Sequence, residues 1–367
     1  MKKTFSILAV VLGGILLFAG TFKSSKSNAG FVLGSPEIKS ITSLSFGPKG
    51  ILFIGDSRAA SIFAIETKDD RQTQKAAAIE IKNIDNAVAA ALGTEKGNIT
   101  ITDMAVNPLS KNVYLAVQYK DGTPVLLKIE NSQIKAVPLK DISYSGIALN
   151  NVQAEDAKDQ RGRSLRISTI SDLEYFDGKV LVSGLSNKEF SSTFRSIPFP
   201  FTDKQEQASL EIYHASHGRF ETTSPIKTFT TAVISGKKYL IASYTCTPLV
   251  LFPLDDLKAG LHVKGRTVAE MGAGNTPIDM ISMKKGTESF LVMSNTSKPV
   301  AKVDYKTIES FEGTLTQKVA GTAGTAFVTL PLTNVLQLDK LDDKQVVMIQ
   351  KKSNGDLDLW TANDQTL

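Results

Sequence analysis

Two histidines and the only cysteine of the chain are the residues best suited to bind a transition metal. His214 and His217 lie in the segment HASHGRFET (214–222), and Cys246 lies in SYTCT (243–247). Imidazole nitrogen and thiolate sulfur are ligands that zinc and copper prefer. The competing interpretation is that both histidines hydrogen-bond to loop carbonyls. The sequence therefore offers a copper or zinc site as a hypothesis.

Tyr244 lies two residues before Cys246, so an extended backbone would place both side chains on the same side. A tyrosine beside a metal-bound thiolate would permit oxidative chemistry, and a metal-dependent oxidative enzyme is therefore one hypothesis for the function. A single cysteine excludes an internal disulfide, and a free thiol is most often buried and unreactive. Whether the protein is an enzyme stays open at this point.

Aspartates recur at the start of apolar strand patterns, at Asp103, Asp172 and Asp279, with Asn334 assigned to the same place in the last repeat. Asp caps backbone N–H groups of its own turn well, which is one interpretation. The other is a ring of carboxylates at a channel mouth that binds a cation such as calcium.

The segment LSNKEFSSTFRSI (185–197) and the histidine segment hold further polar side chains in predicted loops. We assign Asn187, Glu189, Arg195 and Arg219 to a ligand-binding surface. Arginine in such a loop either binds an anionic ligand or forms a solvated ion pair. No Ser/His/Asp order, phosphate-binding loop or HExxH motif is recognisable.

The elements that position these residues are short apolar strands that recur along the chain. Each run has four to seven residues and is enriched in β-branched and aromatic side chains, which is typical of strands. Such repeats bury their faces by packing around an axis as propeller blades. We therefore predict an all-β fold, a β-propeller of six blades, with a seventh possible within 307–329. The predicted runs are 41–46, 51–55, 61–66, 101–106, 113–118, 125–129, 170–175, 179–183, 229–234, 239–243, 248–252, 278–283, 289–294, 300–303, 334–338, 345–349 and 356–360, with outer strands at 77–81, 133–138 and 209–213.

One short helix interrupts the repeats. Asp85 is the predicted N-cap, Val88, Ala91 and Leu92 share one face, and Gly93 follows as the stop signal. We also predict that the strand ending at Trp360 pairs with residues 31–38 and closes the ring, because a propeller otherwise leaves two unpaired edges.

The segments LSFGPKGILFIGDSRAASIFAI (44–65) and MAVNPLSKNVYLAV (104–117) resemble secreted bacterial propellers of the NHL, YVTN and quinoprotein-like type. The resemblance covers most of the chain and implies a fold rather than an activity. The recurrent tryptophan motif of quinone-dependent propellers is absent, since Trp360 is the only tryptophan, and there is no CxxCH haem site.

Long insertions fall between strands on one predicted face of the propeller, which is the usual mark of a binding face. We therefore predict a binding module for a small molecule, a glycan or an envelope protein. If repeats three and four are adjacent blades, His217 and Cys246 should lie within about 10 Å of each other, the packing distance of sheets.

Residues 1–29 have the order of a secretory signal: Lys2 and Lys3, an apolar run from Phe5 to Gly20, and small residues at Ser27 and Ala29. The alternative is an uncleaved membrane anchor. We expect a single propeller domain over 30–367 in the periplasm or outside the cell. Removal of the four leader lysines lowers the net charge from +5 to +1, so nucleic acid is not an expected partner.

Overall fold

The computed structural model describes residues 30–363 and 365–367. The predicted leader, 1–29, lies outside the described residues. In chain order the strands are β1 Val32–Gly34, β2 Ser43–Phe46, β3 Ile51–Asp56, β4 Ser61–Glu66, β5 Glu80–Ile81, β6 Ile99–Val106, β7 Val113–Tyr119, β8 Pro124–Glu130, β9 Gln133–Val137, β10 Ile142–Ala148, β11 Asp172–Phe176, β12 Lys179–Leu185, β13 Ser192–Pro198, β14 Glu206–His214, β15 Arg219–Glu221, β16 Thr228–Ile234, β17 Lys237–Ser243, β18 Pro248–Pro253, β19 His262–Lys264, β20 Arg266–Glu270, β21 Pro277–Lys285, β22 Glu288–Asn295, β23 Ala301–Asp304, β24 Ala323–Gly324, β25 Val328–Thr329, β26 Val335–Lys340, β27 Gln345–Lys351 and β28 Leu357–Asn363. The α-helices among these residues are α1 Ile84–Ala91 and α2 Tyr305–Ser310, neither of which is long and apolar enough to cross a membrane.

These strands form six sheets, antiparallel except where β19 joins β14, and the sheets are the blades of a propeller, so the predicted fold class is confirmed. Blades 1 to 6 begin with the inner strands β2, β6, β11, β16, β21 and β26. Each inner strand pairs with the next strand of the chain, and that strand pairs with the one after it, as the short apolar runs predicted. Alternating side chains of these strands pack against the neighbouring blade, and this packing buries both faces of each sheet.

The order of the blades around the ring differs from their order in the chain. The described residues form six apolar clusters, each filled from two neighbouring blades, and they join blade 1 to both blade 2 and blade 3. The other four clusters join blade 3 to 4, 4 to 5, 5 to 6, and 6 to 2. Blade 1 therefore lies between blades 2 and 3, and the ring closes between blades 6 and 2.

The outer strands explain this order, because chain segments between blades complete blades elsewhere in the ring. Strand β10 follows blade 2 but pairs with β4 of blade 1, and β1 then pairs with β10. Strand β5 precedes blade 2 but pairs with β28 of blade 6. Strand β19 joins blade 3 in parallel with β14, and β24 joins blade 4. Each added strand covers an edge that would otherwise leave backbone groups unpaired.

One prediction about the ends of the ring is wrong, and the open alternative of a seventh blade is not observed among the described residues. Trp360 does not pair with residues 31–38; its strand β28 pairs with Glu80, while the 31–38 segment supplies β1 to blade 1. The stretch 307–329 contains no seventh blade. It contains part of α2 and the two-residue strands β24 and β25, which extend blades 4 and 5. The closure was predicted wrongly because strand patterns do not reveal which sheet a strand joins.

Helix α1 packs between blades 2 and 6, where Ile84 and Val88 are fully buried. Gly93 follows it with φ of +67°, as expected for a residue that ends a helix. Asp85 is not the N-cap as predicted. The helix begins at Ile84, and Asn83 occupies the N-cap position. Asp85 lies instead in the first turn, where a carboxylate favours the helix dipole.

Candidate metal centre between blades 3 and 4

The histidine segment forms a hairpin that extends blade 3. His214 ends β14 and pairs with Arg219 of β15, and His217 lies in the turn between these strands. Cys246 lies in the loop that joins β17 to β18 in the adjacent blade 4. The side chain of His214 is buried, and that of His217 is 40% exposed. The site therefore has a buried interior and one side open to solvent.

The three side chains meet, which confirms the predicted proximity of His217 and Cys246. The Nε2 atom of His217 lies 3.8 Å from the Cys246 Sγ, and the two imidazole centroids are 3.9 Å apart. One donor atom from each of the three residues lies within 4.8 Å of the others. Tetrahedral zinc, with its usual bond lengths, places nitrogen and sulfur ligands roughly 3.6 Å apart. The cluster is therefore close to the spacing that one ion requires.

Glu221 fixes how the imidazoles are presented. Its two oxygens lie 2.9 Å from Nδ1 of His214 and 2.7 Å from Nδ1 of His217. An ionised carboxylate only accepts hydrogen bonds, so Nδ1 of each ring carries the hydrogen and donates it. In the neutral rings Nε2 then keeps its lone pair. Carboxylates orient metal-binding histidines in this way in many metal sites.

The charges around the cluster favour a cation. Burial alone would raise the pKa of Glu221, but the hydrogen bonds from His214 and His217 outweigh it and hold the pKa well below its usual range. Burial raises the pKa of the nearby Glu270. Oε2 of Glu270 accepts from the Ser216 amide, while its buried Oε1 has no hydrogen-bond partner among the described residues.

His214 Nε2 is likewise buried without a hydrogen-bond partner among the described residues. An unpaired buried polar atom costs about 1 to 3 kcal/mol. A metal ion bound to Nε2 would remove this cost.

The backbone at Cys246 is unusual. Cys246 and Thr247 have φ of +69° and +55°, a backbone conformation that residues other than glycine rarely adopt. The Cys246 amide donates to the Asn275 carbonyl at 2.7 Å, and the Thr247 hydroxyl donates to the Gly272 carbonyl at 3.0 Å. Neighbouring segments thus hold the thiol in a strained loop, as is common at functional sites.

Tyr244 and Arg219, the two other predicted site residues near this cluster, differ in their exposure to solvent. Tyr244 is fully buried in the apolar cluster of blades 3 and 4, and burial strongly raises the pKa of its hydroxyl. That hydroxyl has no hydrogen-bond partner among the described residues. Arg219 is 71% exposed and its Nε lies 3.3 Å from Glu221. Arg219 therefore borders the open side of the cluster, while Tyr244 lies on its apolar side.

The repeated aspartates lie in a central channel of about 410 Å³, which the inner strands line. Their role goes beyond capping their own turns, because each also accepts a hydrogen bond from a backbone N–H group of a neighbouring blade. Asp103 accepts from Leu44 at 2.6 Å, Asp172 from Phe229 at 3.0 Å and Asp279 from Leu338 at 2.9 Å. The aspartates therefore connect neighbouring blades.

The assignment of Asn334 to this series is wrong. The residue that precedes Leu338, as Asp103 precedes Met104, is Gln337, whose amide donates to the Thr102 carbonyl. Two further acids, Glu174 and Asp339, lie two residues further along their strands and make the same kind of contact, to the amides of Thr231 and Val106. Gln337 directly follows the bulge of β26, as Asp103 and Asp279 follow the bulges of β6 and β21.

Burial raises the pKa of every acid in this series. Asp172 and Asp339 reach about 6, Glu174 about 7 and Asp279 about 8. The pKa of Asp103 is also raised, first by burial and then by the charges of Asp279 and Asp172. The acids therefore repel one another across the channel.

The other predicted ligand-binding residues do not form one surface. Arg195 is not in a loop but on β13, where it is completely buried. Its guanidinium lies 3.4 to 3.5 Å from the carbonyls of Thr169, Asn150 and Leu185. An anionic ligand from solvent therefore does not reach it. Glu189 lines a separate pocket at the edge of blade 3, and the nearby Asn187 amide donates to the Asn151 carbonyl.

Sequence reasoning missed the roles of Glu221 and Glu270. Glu221 follows His217 by four residues. An acid so soon after a pair of histidines could have predicted a carboxylate that orients the imidazoles. Glu270 has no such signal. It lies on the outer strand β20 of blade 4, 54 residues after Ser216, whose backbone N–H donates to it.

Replacement of Glu221 by glutamine is expected to weaken zinc binding by about 10- to 100-fold, the usual effect of losing an orienting carboxylate. A glutamine amide can donate to Nδ1, which moves the imidazole hydrogen to the metal-binding nitrogen. Titration with a fluorescent zinc chelator measures the change. Glu206→Gln, which alters a half-exposed acid at the far end of the neighbouring strand β14, is the control and should leave the affinity unchanged.

The fold and the cluster define a six-bladed β-propeller with a His₂Cys site between adjacent blades. No family model and no curated protein matches the chain. Solved structures do match it. The alignment with Drosophila Semaphorin 1b, extracellular domains 1-2, has 9% identity and a TM-score of 0.39, and it covers 91% of this chain and 86% of that chain.

The structure titled Drosophila Plexin A in complex with Semaphorin 1b gives 10% identity, the same TM-score and the same coverage. Raptor from Chaetomium thermophilum gives 10% identity and a TM-score of 0.34, with 92% of this chain but only 29% of that chain covered. Likenesses at this level concern the fold alone, and the resemblance to NHL, YVTN and quinoprotein-like propellers stays a prediction.

Proposed function

We propose that the protein is an exported β-propeller that binds one transition-metal ion, zinc or copper, through His214, His217 and Cys246. The observation that carries the proposal is the double hydrogen bond of Glu221, which leaves Nε2 of both imidazoles free to coordinate the ion beside the Cys246 thiol. The apolar leader with its small residues at 27 and 29 supports export.

Zinc and copper fit the donor set better than calcium does. Two imidazoles and a thiolate suit zinc or copper, whereas calcium takes six to eight oxygen ligands. Among residues 30–363 and 365–367, this cluster is the group of His, Cys, Asp and Glu side chains close enough to hold an ion. The channel acids are not part of it, and their oxygens already accept backbone N–H groups.

Binding is favoured over oxidative catalysis as the role of the site. Tyr244, the residue that an oxidative enzyme would use, is buried in the apolar core with a raised pKa for its hydroxyl. The cluster is open to solvent next to His217 and Arg219. A small molecule, a glycan or an envelope protein could supply a further ligand to the ion from this side. That partner would complete the coordination sphere.

The mature protein is expected to bind one zinc or copper ion per chain, and the bound ion should raise its melting temperature. An ion at 1,000 times its dissociation constant stabilises a fold by about 4 kcal/mol. Inductively coupled plasma mass spectrometry gives the stoichiometry, and competition with a chelator gives the affinity. His214→Ala and Cys246→Ser should each lower the affinity by at least about 100-fold, since each removes a ligand.

His262→Ala is the matched control, because His262 is the third histidine of the chain and lies outside the cluster. It should leave both stoichiometry and affinity unchanged. A mature protein without stoichiometric metal after incubation with either ion, or a His214→Ala variant with full affinity, would contradict the proposal.

A further inference from the structure

Three polar side chains on the outer face of blade 3 form a continuous hydrogen-bonded chain. The Ser209 Oγ lies 2.8 Å from Nδ1 of His262, and Nε2 of the same ring lies 3.0 Å from Oε2 of Glu211. Ser209 and Glu211 are two residues apart on β14, so they point to the same side. His262 pairs with Ser209 in the parallel register of β19. The sheet itself therefore aligns the three side chains.

The direction of the hydrogen bonds follows from Glu211. The hydrogen bonds from His262 and Lys264 lower the pKa of its carboxyl, so it is ionised at neutral pH and only accepts. Nε2 of His262 therefore carries the hydrogen, and Nδ1 has a free lone pair. The Ser209 hydroxyl must then be the donor. A hydroxyl that donates to a neutral imidazole, itself held by a carboxylate, is the arrangement that general-base activation of a nucleophile requires.

Ser209 also lines a pocket of about 470 Å³, within the usual size range of small-molecule sites. The Phe190 ring lines the same pocket and packs against the His262 ring, with centroids 4.3 Å apart. Lys188 and Glu189 contribute one charge of each sign, and the other lining side chains are mostly amides and apolar groups. The pocket therefore suits a small ligand without net charge.

We propose that Ser209 is a nucleophile that acts on small uncharged carboxylic esters, with His262 as its general base. The Ser209 proton moves to Nδ1 of His262 while Oγ bonds to the ester carbonyl carbon. The carbon–alkoxy bond then breaks, and the leaving alkoxide takes the proton from His262. Water attacks the acyl-serine with the same base, which releases the carboxylic acid and restores Ser209. The net reaction is ester plus water to acid plus alcohol.

Glu211 is a positioning residue in this scheme, because it holds the tautomer of His262. Negative charge that develops on the carbonyl oxygen needs a donor in the pocket. The Lys188 ammonium lines the pocket and has no acidic partner within 4.0 Å among the described residues. The proposal does not depend on the metal centre, which uses His214 at the end of β14, His217 in the turn that follows and Cys246 in blade 4.

The experiment is labelling of the purified protein with a fluorophosphonate probe, followed by mass spectrometry of the labelled peptide. We expect one label per chain, on Ser209, and none in Ser209→Ala. His262→Ala should slow labelling by at least about 100-fold, since a general base contributes 10²- to 10⁴-fold. Glu211→Gln should also slow it, because a glutamine amide can donate to Nε2 and move the proton to the wrong nitrogen.

Ser297→Ala is the control, since Ser297 is an exposed serine without a histidine partner, and it should label like the unchanged protein. Melting curves identify any variant that fails to fold, and His262→Gln then replaces His262→Ala as a second variant without a base. Absence of a label on Ser209, or a label that forms at the same rate without His262, would overturn the proposal.

Discussion

Asparagine in place of Asp279 is expected to raise the free energy of unfolding by about 1 to 3 kcal/mol at pH 8, and by much less at pH 4.5. Burial raises the pKa of Asp279 to about 8, and the charges of Asp172 and Asp339 add to the effect. An unfolded chain titrates this group near 3.9. Channel water screens the charges, so the expected gain is smaller than the full shift implies.

The sign follows from proton binding. Between pH 4 and 8 the folded protein holds a proton at Asp279 that the unfolded chain has released, so its stability falls as the pH rises through this window. The other channel acids act in the same direction up to pH 6 or 7. Asparagine cannot ionise, and its one side-chain oxygen can still accept from the Leu338 amide, although the Met280 amide then loses the second oxygen as its acceptor.

Melting curves of Asp279→Asn and of the unchanged protein at pH 4.5 and pH 8 measure this effect. Asp203→Asn, which alters an exposed acid outside the channel, is the matched control and should leave the pH dependence as it is. An Asp279→Asn variant that is less stable than the unchanged protein at pH 8 would show that the charge is compensated there.

Alanine in place of Arg195 is expected to destabilise the fold by about 3 to 5 kcal/mol. The guanidinium is completely buried, and burial lowers the pKa of Arg195 to about 10, so it stays protonated at neutral pH. It lies near three carbonyls, two of which belong to the segment between blades 2 and 3. The change leaves a cavity and unpaired carbonyls, and each costs free energy.

The effect should be largest in the crossover segment 149–170, which passes over blade 1 to reach blade 3. This segment lies very close to blade 3: a Cβ at Gly184 would lie 2.1 Å from the Thr169 carbonyl oxygen. Chemical denaturation gives the loss of stability, and hydrogen exchange should show faster exchange in this segment. Arg71→Ala, at an exposed position, should change the stability by less than about 0.5 kcal/mol. Normal stability of Arg195→Ala would mean that the crossover does not need this contact.

The strands of this propeller could be predicted because each blade needs alternating apolar residues in runs bounded by turns. The order of the blades could not, since the six repeats present similar faces and the pattern does not say which neighbour each one meets. Strand β13 was taken for a loop because SSTFRSI lacks a continuous apolar run. Its inward-facing Arg195 takes the place that an apolar residue usually has.

The site was predictable to a similar degree. Counting strands placed His217 and Cys246 on the same face of adjacent blades, and the structure has them in contact. The tautomers that Glu221 imposes depend on the exact hairpin, which spacing alone does not define. Ser209, Glu211 and His262 were invisible to a search for motifs, because a parallel strand pair brings together residues that are about 50 positions apart.

The exchange of outer strands sets the order in which a growing chain can complete its blades. Blade 1 lacks its fourth strand until residue 148 has been made, and β5 has no partner until almost the whole chain is present. The Ile79 amide donates to the Thr361 hydroxyl at 2.9 Å, across a sequence separation of 282 residues. Contacts of such long range slow folding and leave strand edges exposed meanwhile. A chain emerging N-terminus first must therefore keep residues 79–81 from pairing wrongly until its C-terminal strand arrives, which makes this closure a late step of folding.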